Sequence, residues 1–305
     1  MKKLNYRRSL SLCICSLLFN IIVMPAYAAS EQELSIKGEH YQIPAVLTLP
    51  DLKSEKPLPV VIMLHGTASN KNEVGNLFKR LAEKLAKQNV ASIRFDFAGS
   101  GESIVDYKVY DLKSAVNDVI NVHQYIQQQK QLEHKSIHLL GFSQGGLIAQ
   151  LASVNSALPV TSMVTWSSVA GDGIGSFQPF FDQYEQESID NGFAAIKYPW
   201  LNKPLNFSHQ WFEQIRNNTS LTQLIAYQGA LLAIAGDADK TVPWQNSLSL
   251  IKGAKQAQTS LYLIKNANHI FNVLAENSAE LNSDQSLAEE LLAITAHYFI
   301  KQTKQ

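Results

Sequence analysis

A buried strand runs straight into a serine flanked by glycines in the stretch Ser136-Ile137-His138-Leu139-Leu140-Gly141-Phe142-Ser143-Gln144-Gly145. Helical sequence continues from Gln144 to Ser153. A serine on so sharp a strand-to-helix turn needs neighbours without a Cβ two residues to either side, and Gly141 and Gly145 meet that need. The turn lifts the hydroxyl clear of the sheet at a helix N-terminus, whose dipole favours developing negative charge. The pattern predicts a nucleophilic Ser143; the alternative is a plain tight turn.

Short apolar runs alternate with helical stretches along the rest of the chain. Val60–Leu64 is continuous and partly β-branched, which is typical of a strand covered on both faces of a parallel sheet. The other runs of this kind are 90–95, 136–140, Val160–Trp166, 231–235 and 260–264. This alternation predicts an α/β fold, a mostly parallel twisted sheet with helices on both faces. A weaker pair of runs, 34–37 and 46–49, predicts an antiparallel edge.

Helical periodicity appears in three places outside the serine turn. Apolar residues recur at spacings of three and four over 77–85 and again over 112–126, so each set forms one face of a helix. Near the end of the chain, Ser286 and Glu289 have the spacing of a capping box. The sequence therefore predicts a final helix that begins at this box.

A serine hydroxyl needs a base, and the base needs an acid that orients it. His269 follows the strand 260–264, and of the eight histidines it is the one placed beyond a late strand. Two carboxylates, Asp237 and Asp239, follow the strand 231–235, and Asp172 after an earlier strand is a third candidate. The order Ser, Asp, His agrees with the arrangement of α/β-hydrolases. The spacing leaves the choice between Asp237 and Asp239 open.

Catalysis by such a serine also needs donors for the oxyanion. One is expected from the backbone N–H of Gln144, the residue after the nucleophile. The other is expected from the loop after Val60–Leu64, where His65-Gly66-Thr67 lets the backbone approach closely, and we assign it to the Thr67 N–H. His65 precedes the nucleophile in the chain, so its expected role is to shape this loop rather than to act as the base.

Residues 170–228 interrupt the alternation of strands and helices. They carry 11 aromatic residues, whereas an even share of the chain's 28 would be about five. A structureless loop of this length is improbable inside a compact domain, so we predict an inserted subdomain, or lid. Most of its aromatic residues are expected to form its own small core; a share of them is expected to line an acyl pocket.

The N-terminus reads as a targeting segment. Basic residues at positions 2, 3, 7 and 8 precede an apolar run over 10–23, and Ala26-Tyr27-Ala28 has the pattern of a cleavage site. At about 1.5 Å per residue the run is shorter than a bilayer core, which disfavours a membrane anchor. We therefore expect a signal peptide over 1–28, a domain over 29–305, and an exported protein that is periplasmic or secreted without a stable membrane anchor.

Composition and the absence of certain motifs argue against several classes of function. The two cysteines both lie within the leader, so the mature protein is expected to have no thiol chemistry. The 26 basic and 26 acidic residues balance, so the net charge gives no strong electrostatic case for binding nucleic acid, which requires a basic stripe. Neither a His-Glu-x-x-His motif nor a phosphate-binding loop is present, and the expected chemistry needs no metal and no cofactor.

Together, His65-Gly66-Thr67, the stretch from Arg94 to Ser103, the turn at Ser143, Asp239 before Val242-Pro243, and His269 resemble the α/β-hydrolase superfamily. Within it the chain is most similar to bacterial cinnamoyl and feruloyl esterases and to serine-aminopeptidase-like (S33-type) hydrolases. The resemblance implies an α/β-hydrolase fold with a lid at about 170–228. It favours Asp239 as the acid, since the family's acid lies three residues before Val-Pro. It makes Asp96 a structural residue.

The expected function is that of a serine carboxylic-ester hydrolase. A Ser143–His269–Asp239 triad would act through an acyl-enzyme on small to medium apolar or aromatic acyl esters, cinnamoyl or feruloyl esters among them. The alternatives are a lipase or thioesterase, a peptidase on the same fold, or a binding protein without activity. The expected partner is a small-molecule ester; the sequence does not define the oligomeric state.

Overall fold

The structure is a computed structural model that describes residues 29–51 and 54–304. The predicted signal peptide over 1–28 lies outside the described residues. Ten strands are present in the described part: β1 (Ala29–Lys37), β2 (Gln42–Pro50), β3 (Val60–Leu64), β4 (Ala91–Phe95), β5 (Ile137–Phe142), β6 (Val160–Trp166), β7 (Phe193–Ile196), β8 (Leu205–Ser208), β9 (Ala230–Gly236) and β10 (Gln258–Ile264). All six predicted strands are among them, and the weaker pair is β1 and β2. The expectation that each of the six is covered on both faces is wrong for β10, because it lies at the edge of the sheet and exposes Tyr262 and Leu263.

Eight strands form one sheet in the order β1-β2-β4-β3-β5-β6-β9-β10. The pairs β1–β2 and β2–β4 are antiparallel, and every other pair is parallel, so the predicted mostly parallel sheet with an antiparallel edge is confirmed. After β3 the chain first adds β4 on one side of β3 and then adds β5 on the other side, so the strand order reverses at β3. In parallel sheets a crevice forms at the carboxyl ends of the strands where the order reverses, and ligands bind there.

Eight α-helices accompany these strands in the described residues: α1 (Leu77–Ala86), α2 (Leu112–Gln127), α3 (Gln144–Ser153), α4 (Gln178–Asn191), α5 (His209–Arg216), α6 (Ser220–Gln223), α7 (Gln245–Gly253) and α8 (Ser286–Gln302). Two buried apolar clusters lie on opposite faces of the sheet. Alternate residues of β3 divide between them: Ile62 packs with the residues of α2 and α3, and Val61 packs with those of α1 and α8. Both faces are thus covered, which explains why β3 is apolar at every position.

The predicted capping box at Ser286 is wrong. Ser286 is already the first helical residue of α8, and its N–H donates to the Asp284 carboxylate at 2.9 Å. Glu289 instead forms ion pairs with Arg80 and Lys84 of α1, each at 2.8 Å. Long-range ion pairs with α1 therefore replace the local capping hydrogen bond that the spacing indicated.

The segment between β6 and β9 is an insertion with its own secondary structure. Helices α4 and α5 pack against an antiparallel hairpin formed by β7 and β8, and α6 packs against α3 and α7. Its centre is aromatic: the Phe180, Phe207 and Trp211 rings lie within 5.3 Å of one another, centroid to centroid. Most of the buried aromatic residues of the insertion thus pack against each other, as the composition indicated.

One buried carboxylate links the edge hairpin to the main domain. The Tyr41 hydroxyl, in the turn between β1 and β2, lies 2.8 Å from both carboxylate oxygens of Asp118 on α2. Burial raises the pKa of Asp118 to about 7, although the hydrogen bond from Tyr41 lowers it. The folded state therefore binds a proton here at pH values where the unfolded chain has lost it.

We expect Asp118→Asn to stabilise the protein increasingly as the pH rises from about 4 to 7. A raised acid pKa makes the wild-type free energy of unfolding fall over this interval, whereas the neutral amide still accepts from Tyr41 and carries no buried charge. The gain should level off above about pH 8, at no more than about 4 kcal/mol. Urea unfolding at pH 4, 6 and 8 measures it, with Asp190→Asn, at an exposed position of α4, as control. A gain independent of pH would contradict the prediction.

Candidate active site

Ser143 lies between β5 and α3 with strained backbone angles, φ 52° and ψ −118°. Gly141 and Gly145 do not themselves have positive φ; they are required because the backbone passes too closely. A Cβ on Gly145 would collide with the carbonyl oxygen of Leu64, and one on Gly141 would collide with that of Gly145. The glycines thus let the turn pack against the end of β3, and the strain falls on the serine alone.

His269 lies within reach of the serine. Its Nε2 is 3.1 Å from Ser143 Oγ, and its Nδ1 is 2.8 Å from Asp239 Oδ2. An ionised carboxylate only accepts, so Nδ1 carries the proton and Nε2 is left to accept one from the serine. The Phe142 ring lies 5.1 Å from the imidazole, centroid to centroid. The structure therefore brings together, in hydrogen-bonding order, three residues that the sequence separates by up to 126 positions.

Asp239, and not Asp237, is the carboxylate that meets the imidazole. Its other oxygen, Oδ1, accepts from the backbone N–H groups of Thr241 and Val242 at 2.8 and 2.9 Å. The side chain of Asp239 is fully buried, whereas that of His269 is partly exposed. The two backbone donors hold the carboxylate in one orientation, with Oδ2 directed at His269.

The two other candidate acids have structural contacts. Asp237 Oδ1 accepts from the Asn266 N–H at 2.6 Å, which ties the end of β9 to the loop that carries His269. The donor to Asp237 thus comes from the neighbouring loop and not from the turn of Asp237 itself. Asp172 accepts from the N–H groups of Leu221 and Thr222 at the start of α6.

The two predicted oxyanion donors lie on adjacent segments, Thr67 in the loop after β3 and Gln144 at the N-terminus of α3. The sheet register pairs Leu64 of β3 with Gly141 of β5, so the segments that follow these residues run side by side. The Thr67 hydroxyl donates to Gln144 Oε1 at 2.5 Å and joins the two residues directly. Within the described part of the chain, neither backbone N–H donates to a protein acceptor. The Gln144 N–H belongs to the first residue of α3, where the helix dipole favours negative charge. Both N–H groups are therefore available to donate hydrogen bonds to a developing oxyanion.

His65 has both ring nitrogens engaged by the backbone. The Phe97 N–H donates to Nε2 at 3.1 Å, so Nε2 is the acceptor and the proton resides on Nδ1. Nδ1 in turn donates to the Gly66 carbonyl at 2.8 Å. The ring is buried against Phe97, 4.9 Å between centroids. This geometry agrees with the role expected for His65, that of shaping the loop.

Residues that no sequence pattern indicated also hold the loop after β3, which we call the oxyanion loop and define as residues 65–68. The carboxylate of buried Glu73 accepts from the Gly66 N–H at 2.6 Å. The indole Nε1–H of Trp200 donates to the Ala68 carbonyl at 2.9 Å. No local spacing connects these partners, since Trp200 lies 132 positions from Ala68. Their contribution follows only from the packed structure.

A charged cluster fixes the next loop, which follows β4. Buried Asp96 accepts from the Lys71 ammonium at 2.8 Å, from the Lys71 N–H at 2.7 Å and from the Glu102 N–H at 3.0 Å. Lys71 also pairs with the Glu102 carboxylate at 3.0 Å. Asp96 is therefore used in holding two loops together, which is the structural role that the resemblance implied.

Comparison with known proteins agrees with this architecture. The family model of the S33 serine aminopeptidases matches residues 55–187. A Bacillus subtilis protein named as the uncharacterized peptidase YtmA is 26% identical over 139 residues, which are 46% of this chain and 49% of that protein. A Mycobacterium tuberculosis protein named as a phosphoribosyl transferase is 24% identical over 149 residues, 48% of this chain and 32% of that one. The matched residues thus span about a third of one relative's length and about half of the other's.

The structural similarity extends further than the sequence similarity. Est1E from Butyrivibrio proteoclasticus, solved with bound ferulic acid, superimposes with a TM-score of 0.67 at 18% identity, and the match covers 89% of this chain and 100% of that one. The chain therefore has the α/β-hydrolase fold. The predicted resemblance to this superfamily, with its feruloyl-esterase-like and S33-like members, is confirmed.

Proposed function

We propose that the protein is a serine carboxylic-ester hydrolase whose triad is Ser143, His269 and Asp239. The observation that carries the proposal is the pair of hydrogen bonds from Asp239 through His269 to Ser143, at 2.8 and 3.1 Å. The match to the hydrolase family model and the fold shared with Est1E support the reaction class.

Acylation begins when Ser143 Oγ attacks the ester carbonyl carbon. His269 Nε2 takes the hydroxyl proton as the Oγ–C bond forms, and Asp239 stabilises the imidazolium. The carbonyl oxygen becomes an oxyanion, to which the Thr67 and Gln144 N–H groups donate hydrogen bonds. Each such donor contributes roughly a hundredfold to a thousandfold in rate. The intermediate then expels the alcohol, whose oxygen takes the proton from His269.

Deacylation repeats these steps with water. His269 removes a proton from a water molecule, whose oxygen attacks the acyl carbon bound to Ser143. The second tetrahedral intermediate breaks the Oγ–C bond, and the proton returns from His269 to Ser143. The carboxylic acid leaves, and the enzyme regains its starting state without any redox partner.

For the acyl group we propose small to medium apolar or aromatic acids, including hydroxycinnamates. Two features support it: the aromatic insertion that reaches the oxyanion loop through Trp200, and the ferulic acid bound by Est1E, a protein of the same fold. Comparison of methyl ferulate with p-nitrophenyl esters of increasing chain length tests the proposal. A preference for long acyl chains would indicate a lipase or thioesterase instead.

A peptidase is the second candidate, because the matching family model is that of serine aminopeptidases. A panel of aminoacyl p-nitroanilides separates the two activities. The ester hydrolase is supported if kcat/KM for esters exceeds that for the matching amides beyond their difference in intrinsic reactivity. Cleavage of a free amino-terminal residue would favour the peptidase.

Labelling with a fluorescent fluorophosphonate distinguishes either enzyme from a binding protein of the same fold. The activated Ser143 is expected to displace fluoride and form a stable phosphonyl ester, which peptide mass spectrometry locates. Absence of labelling in the folded wild-type protein would contradict the proposal.

We also propose that the protein is exported and cleaved after Ala28, which the basic and apolar pattern of its first residues supports. In the described residues, no helix has the length and hydropathy needed to span a bilayer. The intact mass of the protein from a periplasmic extract checks the cleavage position. A chain that retains its first 28 residues would contradict it.

A further inference from the structure

One bond between the insertion and the main domain ends beside the proposed oxyanion hole. Trp200 lies in the loop between β7 and β8, and its Nε1–H donates to the Ala68 carbonyl at 2.9 Å. Ala68 directly follows Thr67, is 3% exposed and has a positive φ of 57°. A non-glycine residue keeps such an angle only where its surroundings hold it. The Trp200 bond is one of the contacts that hold this peptide.

The other hydrogen bonds that fix the oxyanion loop come from the main domain. The Gly66 N–H is fixed by Glu73, the His65 ring by Phe97 N–H, and the Thr67 hydroxyl by Gln144. At the C-terminal end of the loop, the Ala68 carbonyl is fixed by a hydrogen bond from the insertion. The Thr67 N–H lies between these contacts, so its direction depends on both the main domain and the insertion.

Trp200 is itself anchored to a segment that packs on the main domain. The Tyr198 ring lies 5.3 Å from the indole, and the Leu201 N–H closes a turn onto the Tyr198 carbonyl at 3.0 Å. The following strand β8 is fixed by Phe207, whose ring lies 4.7 Å from that of Tyr107 in the loop after β4. The indole nevertheless leaves 63% of its surface exposed, so burial of apolar area alone does not account for its position.

We propose that Trp200 is a positioning residue, through which the insertion sets the Thr67 N–H for the oxyanion. The proposal rests on the proposed ester hydrolysis. It depends on the indole N–H, because an aromatic ring without this donor cannot bond to the Ala68 carbonyl. A displacement of a catalytic group by about 1 Å can cost up to about a hundredfold in rate. The loss of this single bond should cost less, since three other contacts still hold the loop.

The test uses Trp200→Phe, which removes the N–H and keeps an aromatic ring, and a second variant with benzothienylalanine at position 200. In this Trp analogue, sulfur replaces the N–H with little change in shape. With p-nitrophenyl acetate, whose acetyl group offers little surface for the aromatic side chains of the insertion to contact, both variants should lower kcat about 5- to 20-fold and leave KM within about twofold. The affinity for a trifluoromethyl ketone, which forms an oxyanion on Ser143, should fall by the same factor.

Tyr198→Phe is the matched control, because it keeps the ring beside Trp200 and does not alter the bond to Ala68. Unchanged kcat in the benzothienylalanine variant would overturn the proposal, as would a change confined to KM, which would indicate a substrate-binding surface. A fall in kcat accompanied by an equal fall in the Tyr198→Phe control would also overturn it. If the wild type itself fails to hydrolyse esters or to react with a fluorophosphonate, it is the proposed function that fails.

Discussion

Ser143→Ala is expected to lower kcat/KM for p-nitrophenyl acetate by about 10⁴- to 10⁶-fold and to leave the protein folded. The substitution removes Oγ, the atom that forms the proposed acyl-enzyme, while His269 and Asp239 keep their contact. Alanine takes the same backbone angles that serine takes at this turn, so the melting temperature should change little. Stopped assays with purified protein, together with thermal unfolding, measure both quantities.

Ser153→Ala is a suitable control for this experiment. Ser153 is the last residue of α3, the helix that follows Ser143, and its hydroxyl donates to the Gln150 carbonyl at 2.8 Å, away from His269. It should retain hydrolysis close to the wild-type rate. Hydrolysis by Ser143→Ala within tenfold of the wild type would mean that another group performs the reaction.

Asp239→Asn is expected to lower kcat by about 10⁴-fold, because the structure dictates how the amide will lie. The N–H groups of Thr241 and Val242 both donate to Oδ1, so the amide oxygen must take that place. The amide NH₂ then faces His269 Nδ1 and donates to it. The imidazole is forced into the tautomer with its proton on Nε2, which can no longer accept from Ser143.

Asp237→Asn makes the same chemical change two residues away. Its amide oxygen still accepts from the Asn266 N–H, so kcat should stay within a few-fold of the wild type. The ratio of the two variants' kcat values, measured on one ester at one pH, is the quantity to compare. Equal losses would contradict the assignment of Asp239.

Most of the fold could be predicted, since its signals are local. The strand β3 runs over Val60–Leu64 and the helix α3 over Gln144–Ser153, as the apolar runs and the glycines indicated. Where a local signal competed with a distant partner, prediction failed. Glu289 left its expected capping position because two cations of α1 lie close to it.

The candidate site was predictable in its residue types and only partly in its geometry. Ser143 and His269 each follow a recognisable strand, and their order along the chain identified them. Glu73 and Trp200 could not be found, because the groups that they bind are backbone atoms of the oxyanion loop, and any residue type has those atoms. A donor or acceptor recruited in this way leaves no pattern in the sequence.

The amino-acid sequence by itself determined the alternation of strands and helices, the sharp turn at Ser143 and the order of serine, acid and base. These features depend on periodicity and on glycine, which act within a few residues. Only the tertiary structure decided that Asp239 rather than Asp237 meets His269, and that an insertion contacts the oxyanion loop. Such choices depend on distances of about 3 Å between groups far apart in the chain, which packing sets and sequence spacing does not.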